Sequence, residues 1–591
     1  MDDTNSLIEQ RKAKLAALRA KGIDPFKNKF TPGETCQHAR EHYAEGREVA
    51  LAGRITAHRD MGKSMFMDIR DQSGRMQIYA QKNVLGYEPF AILQHLDLAD
   101  FIGVRGTMFT TKTNEISVKI TGFVILAKAL RPPPAKWHGL EDTEIRYRQR
   151  YLDLMANPEV KELFLMRSEI IREIRNFLHK RGFVEVETPM MQAISGGAAA
   201  QPFVTKHNAL GCNFYLRIAL ELPLKRMLVG GVDKVFEIGR VFRNEGLSRK
   251  HNPEFTMLEA YEAYGDYESM MELVQGLVCH VAQKVFGTLK ITHERRESFS
   301  VALQNVIDKS DSVWTAIQTL TLNLQRQISG MPPFIQRLGG INARARLEHT
   351  VTLAIETLEC VHQFQKEAQS PEFLMNLKLM PQDGPAVELQ TRIAAMVKTA
   401  EEIITPFTNA KVIDLTPKWR RAKYKDLIRE KAGADWFDIP AKERRQRAHD
   451  LGAEIGKDYE DFEVTGAVFE KLIEPTLIQP VFVTHLPKEL VPLAKLSPDD
   501  PTTVEVFECC INGQEIAPAY TEQNDPIAQR ERLEHQAGGE QQKLDEDFLV
   551  ALEHGMPPAG GMGMGIDRLC MMLLGQESIR DVILFPQLKP K

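Results

Sequence analysis

The spacing of apolar residues predicts a small β-barrel near the start of the chain. Between residues 46 and 130, short runs with alternating or near-alternating apolar positions are separated by polar turns such as 72–74. The five runs begin at Val49, Ser64, Met76, Ile102 and Glu115. Five short strands in one segment are typical of an OB-type barrel, which binds single-stranded nucleic acid through stacked aromatic rings and a basic groove.

The sequence of residues 1–45 predicts a helical extension ahead of this barrel. Leu7, Leu15 and Leu18 recur among basic residues at spacings that suit a helix. Two interpretations stay open, a solvated helix and an accessory contact to RNA. The proline-rich stretch 131–134 then begins a stiff linker over residues 131–155.

The remainder of the chain, residues 156–591, predicts a larger domain in which helices and strands both occur. A helical pattern runs through Ile170, Ile174 and Phe177 and ends at Gly182, and a strand follows at 184–186. Further on, two apolar runs at 235–238 and 255–258 flank a polar excursion with a basic tip, an arrangement that predicts a hairpin.

Residues 294–405 predict a helical bundle inserted into that larger domain. One set of apolar residues is spaced three or four positions apart, and the same spacing recurs after Leu347 and after Leu389. The first set is Val313, Ile317, Leu320, Leu324 and Ile328. Three amphipathic helices are therefore expected, without an assigned function, and a strand-like run resumes at 411–415.

Length and composition narrow the class of protein. A chain of 591 residues exceeds one ordinary core, and 43% apolar with 26% charged residues is typical of a soluble globular protein. The net charge of −5 argues against coating nucleic acid along its whole surface but permits a local binding face. The seven cysteines are scattered and form no Cys-x-x-Cys pair, so neither disulfides nor zinc are expected. With no long apolar run and no signal peptide, we expect a cytoplasmic protein without a membrane anchor.

The hairpin at 235–258 carries the densest group of candidate ligand-binding side chains. The fork of an arginine guanidinium suits a phosphate or a carboxylate, and the face of a phenylalanine ring can stack on a purine. Taken in isolation, such a hairpin is more often a solvated charged loop. The candidates are Arg243, Asn244, Glu245, Arg249, His251, Asn252 and Phe255.

The hairpin is not isolated, because residues 241–259, VFRNEGLSRKHNPEFTMLE, resemble the second signature motif of class II aminoacyl-tRNA synthetases. The residues of this motif are most similar to those of the lysyl enzymes. The glycine-rich run 561–565 followed by Arg568 resembles the third motif, and the helix, strand and proline at 170–189 resemble the first, which builds the dimer interface. The resemblance implies catalytic roles for Arg243 and Arg568. The implied ATP-binding residues are Arg243, Asn244, Glu245, His251, Asn252, Phe255, Gly565 and Arg568.

Two glutamates near the C-terminus are candidates for holding a metal ion. Glu508 and Glu515 lie seven positions apart around 512–513, where they could occupy adjoining strands. Carboxylate oxygens suit Mg²⁺, although spacing alone would favour two surface glutamates. The resemblance implies that both positions bind Mg²⁺ together with the triphosphate of ATP.

The resemblance also implies a pocket for the amino acid. An ammonium group in a partly dry pocket must be matched by negative charge and hydrogen-bond acceptors. The implied lysine-binding residues are Gly197, Glu221, Glu259, Tyr261, Tyr520 and Glu522. One position departs from the family, since lysyl enzymes usually have asparagine where this chain has Pro518, which offers neither an amide side chain nor a backbone donor.

Within the predicted barrel, four residues are candidates for recognising the anticodon. A lone phenylalanine such as Phe66 in a strand is usually a core residue. The barrel resembles the anticodon-binding domain of lysyl, aspartyl and asparaginyl enzymes, and that resemblance implies contacts from Arg59, Phe66, Gln77 and Glu115.

The fold expected from these observations is α+β, an N-terminal OB-type barrel followed by a class II antiparallel-sheet domain with an inserted helical bundle. The resemblance implies a homodimeric lysine–tRNA ligase that uses Mg²⁺, ATP, L-lysine and tRNA(Lys). Two alternatives stay open. A ligase that attaches lysine or a similar amino acid to a protein would typically lack the barrel, and a non-catalytic RNA-binding paralogue would have lost Arg243, Arg568 or the pair Glu508 and Glu515.

Overall fold

The computed structural model divides the chain into two compact units, Met1–Glu162 and Leu163–Lys591. It describes residues 2–134, 140, 142–198, 200–293, 411–534 and 544–590. Each unit has its own sheet and its own apolar core, and each is described by itself below.

The first unit is built on a closed five-stranded barrel in the order β1-β2-β3-β5-β4, which confirms the predicted OB-type fold. The strands are β1 (Glu48–Asp60), β2 (Ser64–Arg70), β3 (Arg75–Gln81), β4 (Phe101–Thr110) and β5 (Ile116–Ala127). Buried residues alternate with less buried ones most clearly along β3, where Met76, Ile78 and Ala80 point into the barrel. The period-two pattern in the sequence therefore identifies which side chains fill the barrel.

Six helices accompany the barrel. They are α1 (Asp2–Ala20), α2 (Cys36–Glu41), α3 (Lys82–Leu85), α4 (Tyr87–Gln94), α5 (Thr143–Arg148) and α6 (Arg150–Ala156). The first is not simply a solvated helix, because Leu15 and Leu18 are buried and Arg11 donates to the carbonyls of Leu98 and Ala129 at 3.2 Å. The stretch predicted as a linker contains the two short helices α5 and α6.

The second unit is organised around an eight-stranded sheet in the order β14-β15-β16-β17-β18-β11-β10-β6. Its strands are β6 (Val184–Glu185), β10 (Lys234–Phe242), β11 (Glu254–Ala263), β14 (Arg420–Lys423), β15 (Val481–Thr484), β16 (Val506–Ile511), β17 (Gln514–Thr521) and β18 (Ala559–Gly565). The pairs from β15 through β18, β11 and β10 are all antiparallel, while β6 and β14 pair in parallel at the two edges. This confirms the mainly antiparallel sheet expected for the domain.

Helices flank this sheet, and short strands form two further sheets. The helices are α7 (Pro158–Lys180), α8 (Glu221–Val229), α9 (Tyr267–Phe286), α10 (Tyr424–Ala432), α11 (Ala441–Asp450), α12 (Asp461–Val468), α13 (Pro526–Glu534), α14 (Glu546–Glu553), α15 (Ile566–Leu574) and α16 (Ile579–Val582). The small sheets are formed by β7 (Met191–Gln192), β8 (Val204–His207) and β9 (Cys212–Leu216), and by β12 (Lys290–His293) with β13 (Lys411–Asp414).

The predicted insertion at 294–405 lies outside the described residues, so the three expected helices stay a prediction. Its flanks are described. Strands β12 and β13 pair in antiparallel register, with His293 opposite Lys411. The backbone that leads into residues 294–410 and the backbone that leads out of them therefore run side by side.

A tight turn and a bulge determine which side chains of β16 and β17 share a face. Ile511 pairs with Gln514, and the two residues between them, Asn512 and Gly513, have φ of 61° and 72°. Asn-Gly is the preferred pair for such a two-residue hairpin turn. The register shifts at Cys509 and Cys510, and this extra residue in β17 brings Glu515 to the same face as Glu508.

That face continues across the neighbouring strands. Opposite residues in a sheet point the same way, and side chains alternate along each strand. Tyr520 pairs with Gly561, and Gly561 pairs with Tyr261. Gly563 pairs with Glu259, and Gly565 pairs with Met257. The sheet therefore presents acids and tyrosines on both sides of a strip of glycines.

Candidate active site

Glu259 lies near the centre of this face and has both carboxylate oxygens occupied. The backbone N–H of Leu220 donates to Oε1 at 2.8 Å, and the hydroxyl of Tyr261 donates to Oε2 at 2.9 Å. Burial and the nearby charge of Glu221 raise the pKa of Glu259 to about 7, against the lowering effect of these two donors and of Arg243. The carboxylate is thus poised to gain a cationic partner.

Two more buried acids face Glu259, and a buried lysine joins them. Lys225 donates to Glu221 Oε1 at 2.6 Å and forms an ion pair with Glu522 Oε2. The hydroxyl of Tyr520 donates to Glu221 Oε1 at 2.7 Å. Burial raises the pKa of Glu522 to about 8. The charge of Lys225 lowers this pKa only in part, and the charges of Glu221 and Glu259 raise it further. Oε1 of Glu522 is buried and has no hydrogen-bond partner among the described residues.

Glycines make room for a ligand in this pocket. A Cβ atom on Gly561 would collide with Glu522 Oε1 and with the ring of Tyr261. Gly197, with φ of 87°, lies against the pocket wall, since a Cβ atom there would come within 3.2 Å of Glu221 Cβ. All six residues that the resemblance implied for lysine binding are therefore brought together, and the sheet register with α8 is what assembles them.

The departure at Pro518 also lies on this face. Pro518 pairs with Glu508 on β16 and precedes Ala519, where the pairing of β17 with β18 begins. A proline has no N–H to donate. A sheet therefore tolerates it more readily where its strand pairs on one side than where the strand is hydrogen-bonded on both sides. A Cβ atom on Gly563 would lie 4.0 Å from Pro518 Cγ and 3.9 Å from Glu259 Cγ, so both side chains flank this glycine.

Arg243 follows β10 on the same face as Phe255. Its guanidinium carbon lies 5.3 Å from the centre of the Phe255 ring, and Nε donates to the carbonyl of Ile218 at 3.3 Å. Burial lowers the pKa of Arg243, and Glu245, Glu259 and Glu515 oppose that shift. The guanidinium of Arg243 and the ring of Phe255 are thus neighbours. A guanidinium can bind an anion, and an aromatic ring can stack on a purine.

Arg568 joins this group from the first turn of α15. Its guanidinium donates to the backbone carbonyl of Glu515 at 3.2 Å and lies 3.3 Å from that residue's carboxylate. Nε2 of His251 lies 3.4 Å from the other guanidinium nitrogen. Burial and the cations Arg568, Lys250 and Arg243 lower the pKa of His251. Gly565 ends β18 directly before this turn and lets the backbone approach.

The other residues implied for ATP binding differ in exposure. Asn244 and Glu245 are exposed at the tip of the hairpin. Asn252 is buried, and its amide donates at 2.6 Å both to the carbonyl of Glu254 and to Gln587. The amide group of Asn252 therefore links the returning strand to the C-terminal segment, and the structure brings together chiefly Arg243, Phe255, His251 and Arg568.

The two candidate metal ligands belong to a larger acidic group. Burial raises the pKa of Glu508, with further contributions from Glu515, Glu474 and Glu470, while Arg568 opposes the shift. The pKa of Glu470 is also raised by burial, by Glu474 and by Glu515. Close carboxylates that raise each other's pKa suit a divalent cation. Among the described residues, no three His, Cys, Asp or Glu side chains are arranged to hold a metal ion by themselves.

The first unit presents a separate candidate surface on the outside of its barrel. Phe66 pairs with Arg59 on one side and with Tyr79 on the other, and the rings of Phe66 and Tyr79 stack with centroids 4.6 Å apart. Phe66 lies between the buried residues Met65 and Met67, so its ring points outward. Phe66 is therefore not buried inside the barrel, and with Tyr79 it forms a partly exposed aromatic platform.

The remaining two barrel candidates already have protein partners. Ser117 donates to Gln77 Oε1 at 2.8 Å, which leaves the amide NH₂ of Gln77 for a base. Glu115 accepts from Arg75 at 2.8 Å and from Arg40 at 3.0 Å. Together with Arg59, these groups border the aromatic platform with charged and polar edges.

Several residues of these sites have no clear signal in the sequence. Lys225 lies one helical turn after Glu221, but nothing in the spacing brings it to Glu522. Glu470 and Glu474 lie in two consecutive short helical turns, Phe469–Ile473 and Glu474–Thr476, and Glu474 accepts from the backbone N–H of Glu515 on β17 at 2.9 Å, a contact that only the fold creates. Tyr79 could have been found, because it lies two positions after Gln77 and so points the same way.

Comparison with known proteins gives the same division of the chain. Residues 142–589 match the family described as tRNA synthetases class II (D, K and N), and residues 49–126 match the OB-fold nucleic acid binding domain. The two matches coincide with the second sheet and with the barrel. Among the described residues, no helix is both long and apolar enough to cross a membrane.

Full-length relatives are similar along the whole chain. A lysine–tRNA ligase of Moorella thermoacetica is 40% identical over 600 residues, covering 100% of this chain and 99% of the relative. One of Carboxydothermus hydrogenoformans is 42% identical with the same coverage. One of Staphylococcus saprophyticus is 39% identical and is covered completely in both directions.

Proposed function

Because the chain belongs to the class II aminoacyl-tRNA synthetases, and among them to the lysine–tRNA ligases, we propose how its residues share that reaction. L-lysine reacts with ATP to give lysyl-adenylate and diphosphate. The lysyl group then passes to the 3′ end of tRNA(Lys), and AMP is released. The observation that carries this proposal is the buried cluster of Glu221, Glu259 and Glu522 beside Arg243.

The acidic pocket binds the two ammonium groups of lysine in this proposal. Glu221 and Gly197 lie together and suit the α-ammonium, while Glu259, Tyr261 and Glu522 suit the ε-ammonium, with Tyr520 fixing Glu221. The unpartnered Oε1 of Glu522 is an acceptor that an ammonium group would satisfy. A carboxylate side chain, as in aspartate, would meet net repulsion, because three acids outnumber the single cation Lys225.

Arg243 and Arg568 are the proposed catalytic residues. The carboxylate of lysine attacks the α-phosphorus of ATP in line, and positioning with charge neutralisation supplies most of the catalysis. Arg243 bridges the carboxylate and the α-phosphate, and Phe255 beside it stacks on adenine. Arg568 and His251, 3.4 Å apart, bind the outer phosphates, with Asn244, Glu245 and Asn252 in supporting contacts.

Lysine–tRNA ligases in general use Mg²⁺ with ATP, and we assign its protein ligands to Glu508 and Glu515. Burial and the charges of Glu515, Glu474 and Glu470 raise the pKa of Glu508, so this group of carboxylates suits a divalent cation. Because the described residues form no complete cage, phosphate oxygens would complete the coordination. The ion would neutralise charge that develops on the phosphates.

The outer face of the barrel binds the anticodon in this proposal. Phe66 and Tyr79 form a platform on which bases can stack, and Arg59, Gln77 and Glu115 border it. Stacking of this kind contributes ~1–3 kcal/mol per base.

We further propose a homodimer in the cytoplasm. Apolar side chains are exposed in and beside segment 170–189, which resembles the first class II motif. They are Leu165 on α7, Val184 on β6, and Met190 and Met191 at β7. A second copy of the chain would cover them. The six cysteines of the described residues are all free, which fits a reducing compartment.

Amino-acid-dependent exchange of diphosphate into ATP tests the proposal. We expect exchange with lysine alone among the twenty standard amino acids, and then charging of tRNA(Lys) but not of a lysine acceptor protein. Exchange driven by aspartate or asparagine would contradict the lysine pocket. Exchange without tRNA charging would favour the protein-modifying alternative, for which the comparisons give no support.

A further inference from the structure

The lysine pocket contains a cation of its own, Lys225, which the proposed reaction does not use. Its side chain is 0% exposed, and it reaches from α8 to two carboxylates, Glu221 on the same helix and Glu522 just beyond β17. The rings of Tyr520 and Phe548 lie 5.6 Å and 6.0 Å from its ammonium nitrogen. A charge this deeply buried persists only when it is well paired.

The charges in the pocket can be counted directly. Three carboxylates, from Glu221, Glu259 and Glu522, face one another in a region that is at least 95% buried. One ammonium, from Lys225, opposes them, so the fully ionised pocket carries two negative charges. Lysine carries two ammonium groups, and its own carboxylate is assigned to Arg243 outside the pocket. The pocket and its substrate therefore match in charge only because Lys225 is present.

The contacts of Lys225 also determine which oxygens are left for the substrate. Lys225 and Tyr520 both donate to Glu221 Oε1, at 2.6 Å and 2.7 Å. The ion pair of Lys225 is to Oε2 of Glu522, and Oε1 is left without a partner among the described residues. An ammonium group from the substrate can thus be accepted without displacing the internal one.

We propose that Lys225 is a positioning residue that sets the net charge and the orientation of the lysine pocket, by opposing one of its three negative charges and by fixing Glu221 and Glu522 through one oxygen each. This inference rests on the proposed lysine site. Electrostatic balance supports it, because burial lowers the pKa of Lys225 but the two carboxylates outweigh burial and raise it. Tyr261 and Tyr520, the other titratable groups of the pocket, have pKa values raised well above the ordinary value and stay neutral.

Lys225→Met removes the charge and retains most of the side-chain volume. We expect the KM for lysine in the exchange assay to rise ~10-fold or more, because without the opposing charge of Lys225 the proton on Glu522 is held more tightly. The KM for ATP should stay unchanged. The pH at which lysine binds well should move up by about one unit or more, since a cation within contact distance shifts a carboxylate by that much. If Lys225 only supported the fold, its replacement would change neither the ratio of the KM for lysine to the KM for ATP nor the pH profile of lysine binding.

Lys128→Met is the matched control. Lys128 in the barrel unit also has a side chain that is 0% exposed and is also paired with two carboxylates, Asp97 and Asp100. Its loss should leave the KM for lysine and the pH profile as they are. An unchanged KM for lysine in folded Lys225→Met, while the wild type responds to lysine, would overturn this inference alone. A wild type without lysine-dependent exchange would instead overturn the proposed function.

Should Lys225→Met not fold, the wild type itself provides a test. Calorimetry of lysine binding at pH 6.5, in buffers of different ionisation enthalpy, counts released protons. With Lys225 opposing one of the three carboxylates, at most two protons are released, one each from Glu259 and Glu522. Release of three protons would mean that Lys225 does not balance a carboxylate of the pocket, and the inference would be wrong.

Discussion

Burial controls the charge of single carboxylates on the central sheet. Glu259 and Glu522 have pKa values raised to about 7 and about 8, whereas the exposed Glu546, paired with Arg530, has a lowered pKa. Raised values are expected where a protein keeps acids ready for a cation that arrives with the ligand. The same residues thus indicate both the location of the substrate site and the sign of the charge it binds.

The pH dependence of lysine binding follows from these shifts. Below about pH 7, Glu259 and Glu522 hold protons and attract an ammonium group only weakly, and above about pH 8 both are ionised. We therefore expect the KM for lysine to fall as the pH rises from 6 to 8.5, while the KM for ATP changes little. Steady-state exchange at several pH values measures both. A KM for lysine that is flat over this range would contradict the shifts.

Arg243→Ala tests the proposed catalytic arginine. Removing a charge clamp on the reacting phosphate typically lowers the rate by ~10²-fold or more, and we expect at least that loss in lysine-dependent exchange. Arg240→Ala is the control, because Arg240 lies on the same strand but faces the other way and its ion pair with Glu254 spans 3.7 Å. A folded Arg243→Ala protein with normal exchange would refute the assignment.

Among the elements, β18 matters most to the site because it has almost no side chains on the ligand face. Gly561, Gly563 and Gly565 lie in one row between the acids of β11 and those of β17. The free space that the glycines leave is as much a part of the pocket as the carboxylates are. The Asn-Gly turn and the bulge of β17 then determine that Glu508 and Glu515 share that face.

Gly561→Ala should destroy the lysine pocket without unfolding the domain. The added methyl group would collide with Glu522 and Tyr261, so we expect a large rise in the KM for lysine, on the order of 10-fold or more for a misplaced contact. Gly466→Ala on α12 is the control, since a Cβ atom there meets no atom within 4 Å. Isothermal titration calorimetry measures lysine binding by both variants. Normal affinity for lysine in Gly561→Ala would contradict the proposed location of the pocket.

Local patterns predicted the elements well, but long-range register decided the site. Alternation along 49–118 predicted all five barrel strands, and the helix followed by a strand at 170–186 was correct. Alternation could not reveal the bulge at Cys509, which changes the side on which Glu515 lies. Nor could it bring Lys225 to Glu522, because that contact depends on how α8 packs over the sheet. The resemblance identified the acids of the pocket. Only the fold shows that the positive charge of Lys225 opposes part of their negative charge.

At the scale of the whole molecule, the proposed function divides tRNA recognition and chemistry between the two units. The barrel has its own core and an outward aromatic platform, and the larger unit contains every residue proposed for lysine and ATP. Substitutions in one unit should therefore affect one half of the reaction. This expectation distinguishes a tRNA-binding residue from one that supports the fold.

Phe66→Ala tests the division. Loss of one stacking face, worth ~1–3 kcal/mol, should raise the KM for tRNA(Lys) about 5- to 100-fold, while lysine-dependent exchange without tRNA stays normal. Tyr87→Ala is the control, because Tyr87 is 74% exposed in the same unit and is not among the platform residues. Equal damage to charging and to exchange would show that Phe66 supports the fold rather than the tRNA.

The segment 294–410 gives the sharpest test at this scale. His293 pairs with Lys411, and two strands in that register can be closed by a two-residue Asn-Gly turn. Replacing residues 294–410 by Asn-Gly should therefore give a folded dimer that still forms lysyl-adenylate, because closing a loop costs little when its ends already meet. Exchange and tRNA charging are measured separately, with an eight-residue Gly/Ser linker as the matched alternative. Loss of charging alone would place the segment near tRNA, whereas loss of exchange in both folded deletions would mean that it braces the active site and is not a peripheral insertion.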